Sequence, residues 1–211
     1  MELLLIPLAG LWSMDRSTAF NFMISRPLVV AAVIGGISGN FIWCFAGGIL
    51  FEIIGLMDMP VGTRISRDST FAAFVFAYVI AHLPVVTTEY CFFTLIIAYV
   101  LVFPATYSIV FTRWINKKLY QRSPHRESFL IWTGQAIAFA RGVIVYAGGA
   151  VLISWLIEYA AGRLIVPSVS FLWLVIFFCF LAGYFSGFLT ASMRLKIALL
   201  LLGGAFAWLI L

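Results

Sequence analysis

Charge is what this sequence has least of. Only 10% of its 211 residues are Asp, Glu, Lys or Arg, 64% are hydrophobic, and the mean hydropathy is +1.11. Soluble domains run at about 25% charged and roughly 45–50% apolar, so a water-facing globular fold is excluded and an integral membrane protein is expected. Histidine occurs twice, at His82 and His125. Cysteine occurs three times, at Cys44, Cys91 and Cys179, far apart and each in apolar surroundings. That scarcity speaks against a disulfide framework and against a Cys/His metal set, and the thiols read as packed free side chains. HExxH, CxxC, GxxxxGK[ST] and GxSxG are all missing, which leaves zinc hydrolysis, P-loop phosphate chemistry and the serine-hydrolase elbow without their machinery. No catalytic residue, cofactor or metal is expected. A secretory leader is not expected either, because Met1-Glu2-Leu3 opens on an acid and no small-residue cleavage site follows.

What the sequence does have is a long apolar stretch with unusual interruptions. Residues 26–68, RPLVVAAVIGGISGNFIWCFAGGILFEIIGLMDMPVGTRISRD, start on a cation and a proline and carry paired glycines at 35–36 and 47–48. The Gly39-Asn40 pair reads as a turn, which makes this region two short membrane segments forming a hairpin. Small residues also let helices approach closely, so the glycines fit helix packing and binding-loop breaks equally well. Glu52 lies within the second segment with apolar neighbours on both sides. An ionisable group at membrane depth is costly and is a functional-site candidate, the alternative being a structural pair with a nearby arginine. Asp58-Met59-Pro60-Val61-Gly62 reads as a loop, and Arg64, Arg67 and Asp68 follow it closely. Irregular backbone at that depth survives only where protein buries it or a wet cavity meets it, and transporters bind their substrates at such breaks.

The remaining segments set the topology. Residues 1–11 are apolar but short of the roughly 20 a spanning helix needs. Residues 13–25 interleave Asp15, Arg16, Ser17, Thr18 and Asn21 with apolar side chains, so they read as an amphipathic interfacial helix or as a re-entrant segment with its polar side on the cavity. Residues 71–113 hold two spans, broken near 84–89, with Pro104 kinking or shortening the second. The net charge of +5 sits largely in residues 113–126, RWINKKLYQRSPHR, which carry five basic residues and no acid. Such a short basic loop is cytoplasmic under the positive-inside rule and attracts anionic lipid, and a soluble cytoplasmic partner is the other candidate to use it; it is no nucleic-acid signal. Spans at 129–157 and 167–190 and a short segment at 197–211 complete the chain. Gln135 and Arg141 lie within the first of these, and an arginine at that depth calls either for a carboxylate, for which Glu52 and Glu89 are the candidates, or for a polar cavity where it contacts substrate.

Together the run ISRPLV, the glycines of VIGGISGN, the Glu52 of GGILFEIIGLMDMPVG and the downstream Asp68 resemble the enzyme IIC subunit of the mannose/fructose/sorbose branch of the bacterial phosphotransferase system. The resemblance runs without gaps over residues 26–68 and more loosely through DRSTAFNF before them. It implies a permease that binds a hexose-like sugar with a homologous IID subunit in an oligomeric assembly. Cytoplasmic IIA and IIB components would carry the phosphate. It also implies a site region that includes Glu52, Gly62 and Asp68, with Asp58 in the same loop. Asn21, Asn40, Arg64 and Arg67 are further substrate-site candidates, and Gln135 and Arg141 are possible buried partners. Thr63-Arg64-Ile65-Ser66-Arg67 departs from the family's small residues and proline. Two cations beside the sugar imply an altered substrate, anionic or amino, or a subunit that assembles without transporting.

The expectation is therefore an all-α, polytopic integral membrane protein of the bacterial cytoplasmic membrane. It forms a single membrane domain over residues 1–211 with six to eight segments, some re-entrant or broken. A non-transporting scaffold or sensor, and an ion-coupled secondary transporter working through Glu52 or Glu89, stay open beside the sugar permease.

Overall fold

A computed structural model describes residues 2–17, 22–57, 65–122 and 127–161, and among these the chain is helical with no strand. The order is α1 (Glu2–Ser17), α2 (Pro27–Ser38), α3 (Phe41–Met57), α4 (Ser69–His82), α5 (Thr88–Arg122), α6 (Glu127–Gly142), a π-helical turn (Val143–Ala147) and α7 (Gly148–Ala161). The spans expected at 167–190 and 197–211 lie outside the described residues, as do Asn21, Asp58, Gly62 and Arg64.

Two helices are long and apolar enough to cross a membrane: Thr88–Arg122, 35 residues, and Ser128–Tyr159, 32 residues. The second is continuous through the π-helical turn. α2, α3 and α4 are equally apolar but only 12, 17 and 14 residues long. At 1.5 Å per residue they reach about 18, 26 and 21 Å, less than the roughly 30 Å of a hydrocarbon core. These three pack on one another, and α1 packs on α6.

Local chemistry explains the short helices. α2 starts on Pro27, whose missing N–H costs nothing at a first helical position. It ends at Gly39, in the left-handed region at φ 81°, where a side chain would be strained. The Asn40 side chain then donates from Nδ2 to the Ile80 carbonyl of α4 at 3.2 Å, so the tip of the α2–α3 hairpin is tied to its neighbour as well as turned. Gly47 settles one open reading: a Cβ there would overlap the Phe76 ring, so this glycine is a close helix contact rather than a break. α4 is apolar all round, and its residues from Ser69 to Ala77 are buried, as expected of a helix enclosed by others. Aromatic contacts fasten it to α1, α3 and the π-helical turn through Trp12 with Phe74, Phe51 with Phe76, and Tyr146 with Phe71 and Phe74.

Three boundaries differ from the sequence reading. Residues 2–17 form one helix instead of an apolar entry segment followed by an interfacial one, and the polar side of its last turns points inward: Ser13 and Asp15 are buried. α5 continues through Pro104 without ending. The basic stretch is helix, not loop, from Arg113 to Arg122, because Lys, Arg, Leu and Gln are good helix formers on a helix already propagating.

Candidate functional site

Among the described residues the most buried charge is Asp68, which has no exposed surface. It is the N-cap of α4, its carboxylate accepting from the Phe71 amide at 3.1 Å, the arrangement that satisfies an otherwise orphaned helix donor. Its own N–H donates to Thr106 Oγ1 of α5 at 3.0 Å. Two guanidiniums and a phenol converge on the same carboxylate. Arg16 Nε of α1 is 3.3 Å from Oδ1, Arg141 Nη1 of α6 is 3.5 Å from Oδ2, and the Tyr146 hydroxyl lies 3.1 and 3.3 Å from the two oxygens. A carboxylate offers about four lone-pair sites; here the Phe71 amide and the Tyr146 hydroxyl donate to it and the two guanidiniums press on it as ion pairs.

The arginines are held in turn. Arg16 donates to Thr70 Oγ1 at 3.1 Å, Ser66 Oγ at 3.4 Å and the Arg67 carbonyl. Arg141 donates to Ser108 Oγ at 3.1 Å and Ser13 Oγ at 2.6 Å, and Ser13 passes its own proton to the Ala138 carbonyl at 2.9 Å. Arg141 Nε is buried and makes no hydrogen bond among the described residues. Asp15 completes the charge balance nearby: its carboxylate accepts from the Phe22 and Ser25 amides at 2.6 and 2.9 Å, holding a turn that includes Met23 at φ 62°. The Ser25 carbonyl of that turn accepts from Thr70 Oγ1 at 2.6 Å, so two carboxylates and two guanidiniums share one network that links α1, α4, α5 and α6. Tyr146 reaches it from the π-helical turn, whose extra residue rotates the following side chains relative to a continuous α-helix.

A second pair lies at the α2 N-terminus. Glu52 of α3 meets Arg26 Nη1 at 3.0 Å and accepts from the Leu28 amide at 3.3 Å. The helix has no cap of its own from Arg26, so a carboxylate from the next helix takes an orphaned donor and faces the positive end of the dipole. The α3 turn after Glu52 touches the start of α4, for a Cβ on Gly55 would be 2.5 Å from Ser69 Oγ. Both pairs thus belong to the same end of the short-helix group.

Of the sequence candidates, Glu52 and Asp68 are brought to this end and Asn40 is not. Twelve residues of α3 separate Asn40 from Glu52, about 18 Å along the axis, and one hexose cannot span that. Arg67 is half-buried and donates to the Tyr99 hydroxyl at 2.7 Å. Arg141 does have a carboxylate partner, but it is Asp68 and not Glu52 or Glu89. Gln135 is half-buried on α6 and is not among the groups on Asp68. Sequence reasoning gave no role to Tyr146 or Ser13, and it placed Arg16 on a wet helix face. The available signal was Arg16 beside Asp15 in an apolar context. No trio of His, Cys, Asp or Glu placed to hold a metal occurs among the described residues. No protein-family model matches the chain, and no curated protein matches it.

Proposed function

We propose that this chain is a polytopic protein of the bacterial cytoplasmic membrane and serves as the membrane permease subunit, of the IIC type, of a phosphoenolpyruvate-dependent sugar phosphotransferase system. It binds a hexose-like sugar together with a IID subunit and releases it to cytoplasmic IIB, which IIA recharges. The observation that carries this reading is the α2–α3 hairpin. Its helices are too short to cross a bilayer, and they meet an exposed-side carboxylate pair, Glu52 with Arg26, at the end where the chain continues into residues 58–64. Broken helices of this kind, ending on polar groups, are how transporters build a substrate site. Glu52 is suited to sugar hydroxyls because its partner, 45% exposed at the side chain, can turn to water while the carboxylate accepts from a ligand. Arg67 and the candidates Asp58, Gly62 and Arg64 stand close to it in sequence.

A second reading, a scaffold or sensor that kept the fold without transport, is favoured by one specific observation: Asp68 is buried among two guanidiniums, a phenol and a backbone amide of the protein itself. The experiment that separates the two uses membrane vesicles carrying the chain with its co-purifying partners. Accumulation of sugar phosphate that needs phosphoenolpyruvate and falls at least tenfold in Glu52→Gln supports the permease. Uptake that ignores phosphoenolpyruvate and collapses with an uncoupler points to an ion-coupled transporter. A Glu52→Gln chain with undiminished phosphorylation would remove Glu52 from the site.

A further inference from the structure

We propose that the last turns of α5 and the first turns of α6 form a binding site for one anionic phospholipid, its phosphate held by the basic side chains of α5 and an acyl chain lying in the groove between the two helices. This rests on the reading that α5 and the helix Ser128–Tyr159 cross the membrane. From Thr88 to Thr112 the only charged residue in α5 is Glu89, and those turns rise about 37 Å, enough for the roughly 30 Å of a hydrocarbon core. The next turns carry Arg113, Lys117, Lys118 and Arg122, all exposed. The cations therefore begin where the hydrocarbon ends, at the depth of lipid phosphate.

Three further features select a lipid. Trp114 (49% exposed), Tyr120 (60%) and Trp132 (73%) surround the cations, the amphipathic aromatics that favour the headgroup layer, and the Lys118 ammonium sits 3.9 Å from the centre of the Trp114 ring. Between the helices lies a pocket of about 220 Å³ lined by Asn116, Leu119, Tyr120, Leu130 and Ile131, apolar enough for part of an acyl chain. Inside it Asn116 Oδ1 is buried without a hydrogen bond among the described residues, and such an acceptor is costly to leave unmet; a hydroxyl of a glycerol headgroup would supply the missing donor. The charge is predominantly complementary, since residues 113–126 carry five basic residues and no carboxylate, against the single acid Glu127 at the start of α6. An acidic protein would satisfy the cations but would leave the groove and the exposed Phe129 and Ile131 unused.

The test titrates the purified full-length chain in neutral detergent with dioleoyl-phosphatidylglycerol and with dioleoyl-phosphatidylcholine. At least tenfold preference for phosphatidylglycerol is expected. Removing Arg113, Lys117 and Lys118 together (each →Gln) is expected to cost about fivefold in affinity per charge, which abolishes the preference. Ile131→Trp, at an exposed position that narrows the groove, is expected to weaken phosphatidylglycerol binding with every charge intact. Equal affinity for the two lipids overturns the proposal, as does a triple variant that keeps its preference or an Ile131→Trp chain that binds as the parent does. Soluble polyglutamate displacing the lipid at equal charge concentration would overturn it in favour of an acidic protein partner. Retention of the chain in membranes after an alkaline carbonate wash reports on the crossing itself. A released chain ends both readings, whereas a retained chain without lipid preference ends only this one.

Discussion

Asp68 and Glu52 are both carboxylates paired with arginine near the junction of α3 and α4. Asp68 has no side-chain exposure while Glu52 keeps 15%, and their arginine partners differ more, at 5% and 19% for Arg141 and Arg16 against 45% for Arg26. The buried carboxylate collects two guanidiniums, a phenol and a backbone amide from four parts of the fold; the open one collects one guanidinium and one amide from a single neighbour. Burial forces that difference. A desolvated ion persists only where geometry returns what water supplied, so Asp68 has become a junction that fixes helices. Glu52, still wetted through its partner, retains the freedom to exchange one hydrogen bond for another. Membership of a polar cluster is thus no guide to ligand binding until the spare acceptors are counted.

The largest effect that would sharpen this contrast is at the junction itself. Asp68→Ala strands the buried Arg141 and the half-buried Arg16 guanidiniums and is expected to destabilise the protein by about 3–5 kcal/mol, read as loss of monodispersity in detergent and a large drop in the thermal midpoint. A chain of near-parental stability would show that the junction is not what ties α1, α4 and α6 together. Tyr146→Phe should follow. It deletes one charged-group hydrogen bond and leaves the rest, for about 1.5–3 kcal/mol. If the sugar-phosphate accumulation of the proposed permease were lost while the thermal midpoint held, the phenol would belong to that proposed path and Asp68 would have to be counted with Glu52 after all.

The legible parts of this fold were those written in local chemistry. Proline at 27, Gly39-Asn40 and the break near residues 84–89 each act through their own backbone, and the helix ends fall where they demand. The apolar runs of α5 and of residues 128–159 were equally readable, since a span is set by length and composition alone. Which carboxylate was buried was not readable. Glu52 stands in the more apolar sequence and Asp68 follows an arginine-rich turn, but burial depends on what packs around a residue. Arg16 and Arg141 come to Asp68 from 52 and 73 residues away. Tyr146 was hidden for a further reason: a π-helical turn breaks the 3.6-residue period by which a helical face is inferred.

The smallest expected effects are at the open pair, and they test the contrast most sharply because the two pairs share their chemistry. Glu52→Gln keeps the shape and an acceptor oxygen for the Leu28 amide, and the ion pair it removes is screened by water around Arg26, so stability should move by no more than about 1 kcal/mol. A double-mutant cycle on Arg26 and Glu52 is expected to return a coupling of about 0.2–1 kcal/mol that fades as salt is raised. The same cycle on Arg141 and Asp68 should return more, and should respond little to salt because the charges it compares never meet the solvent. Equal couplings with equal salt dependence would mean that water reaches both pairs. Asp68 would then lose its standing as a closed junction, and the path from Glu52 to Arg141 would be the first place to look for the substrate.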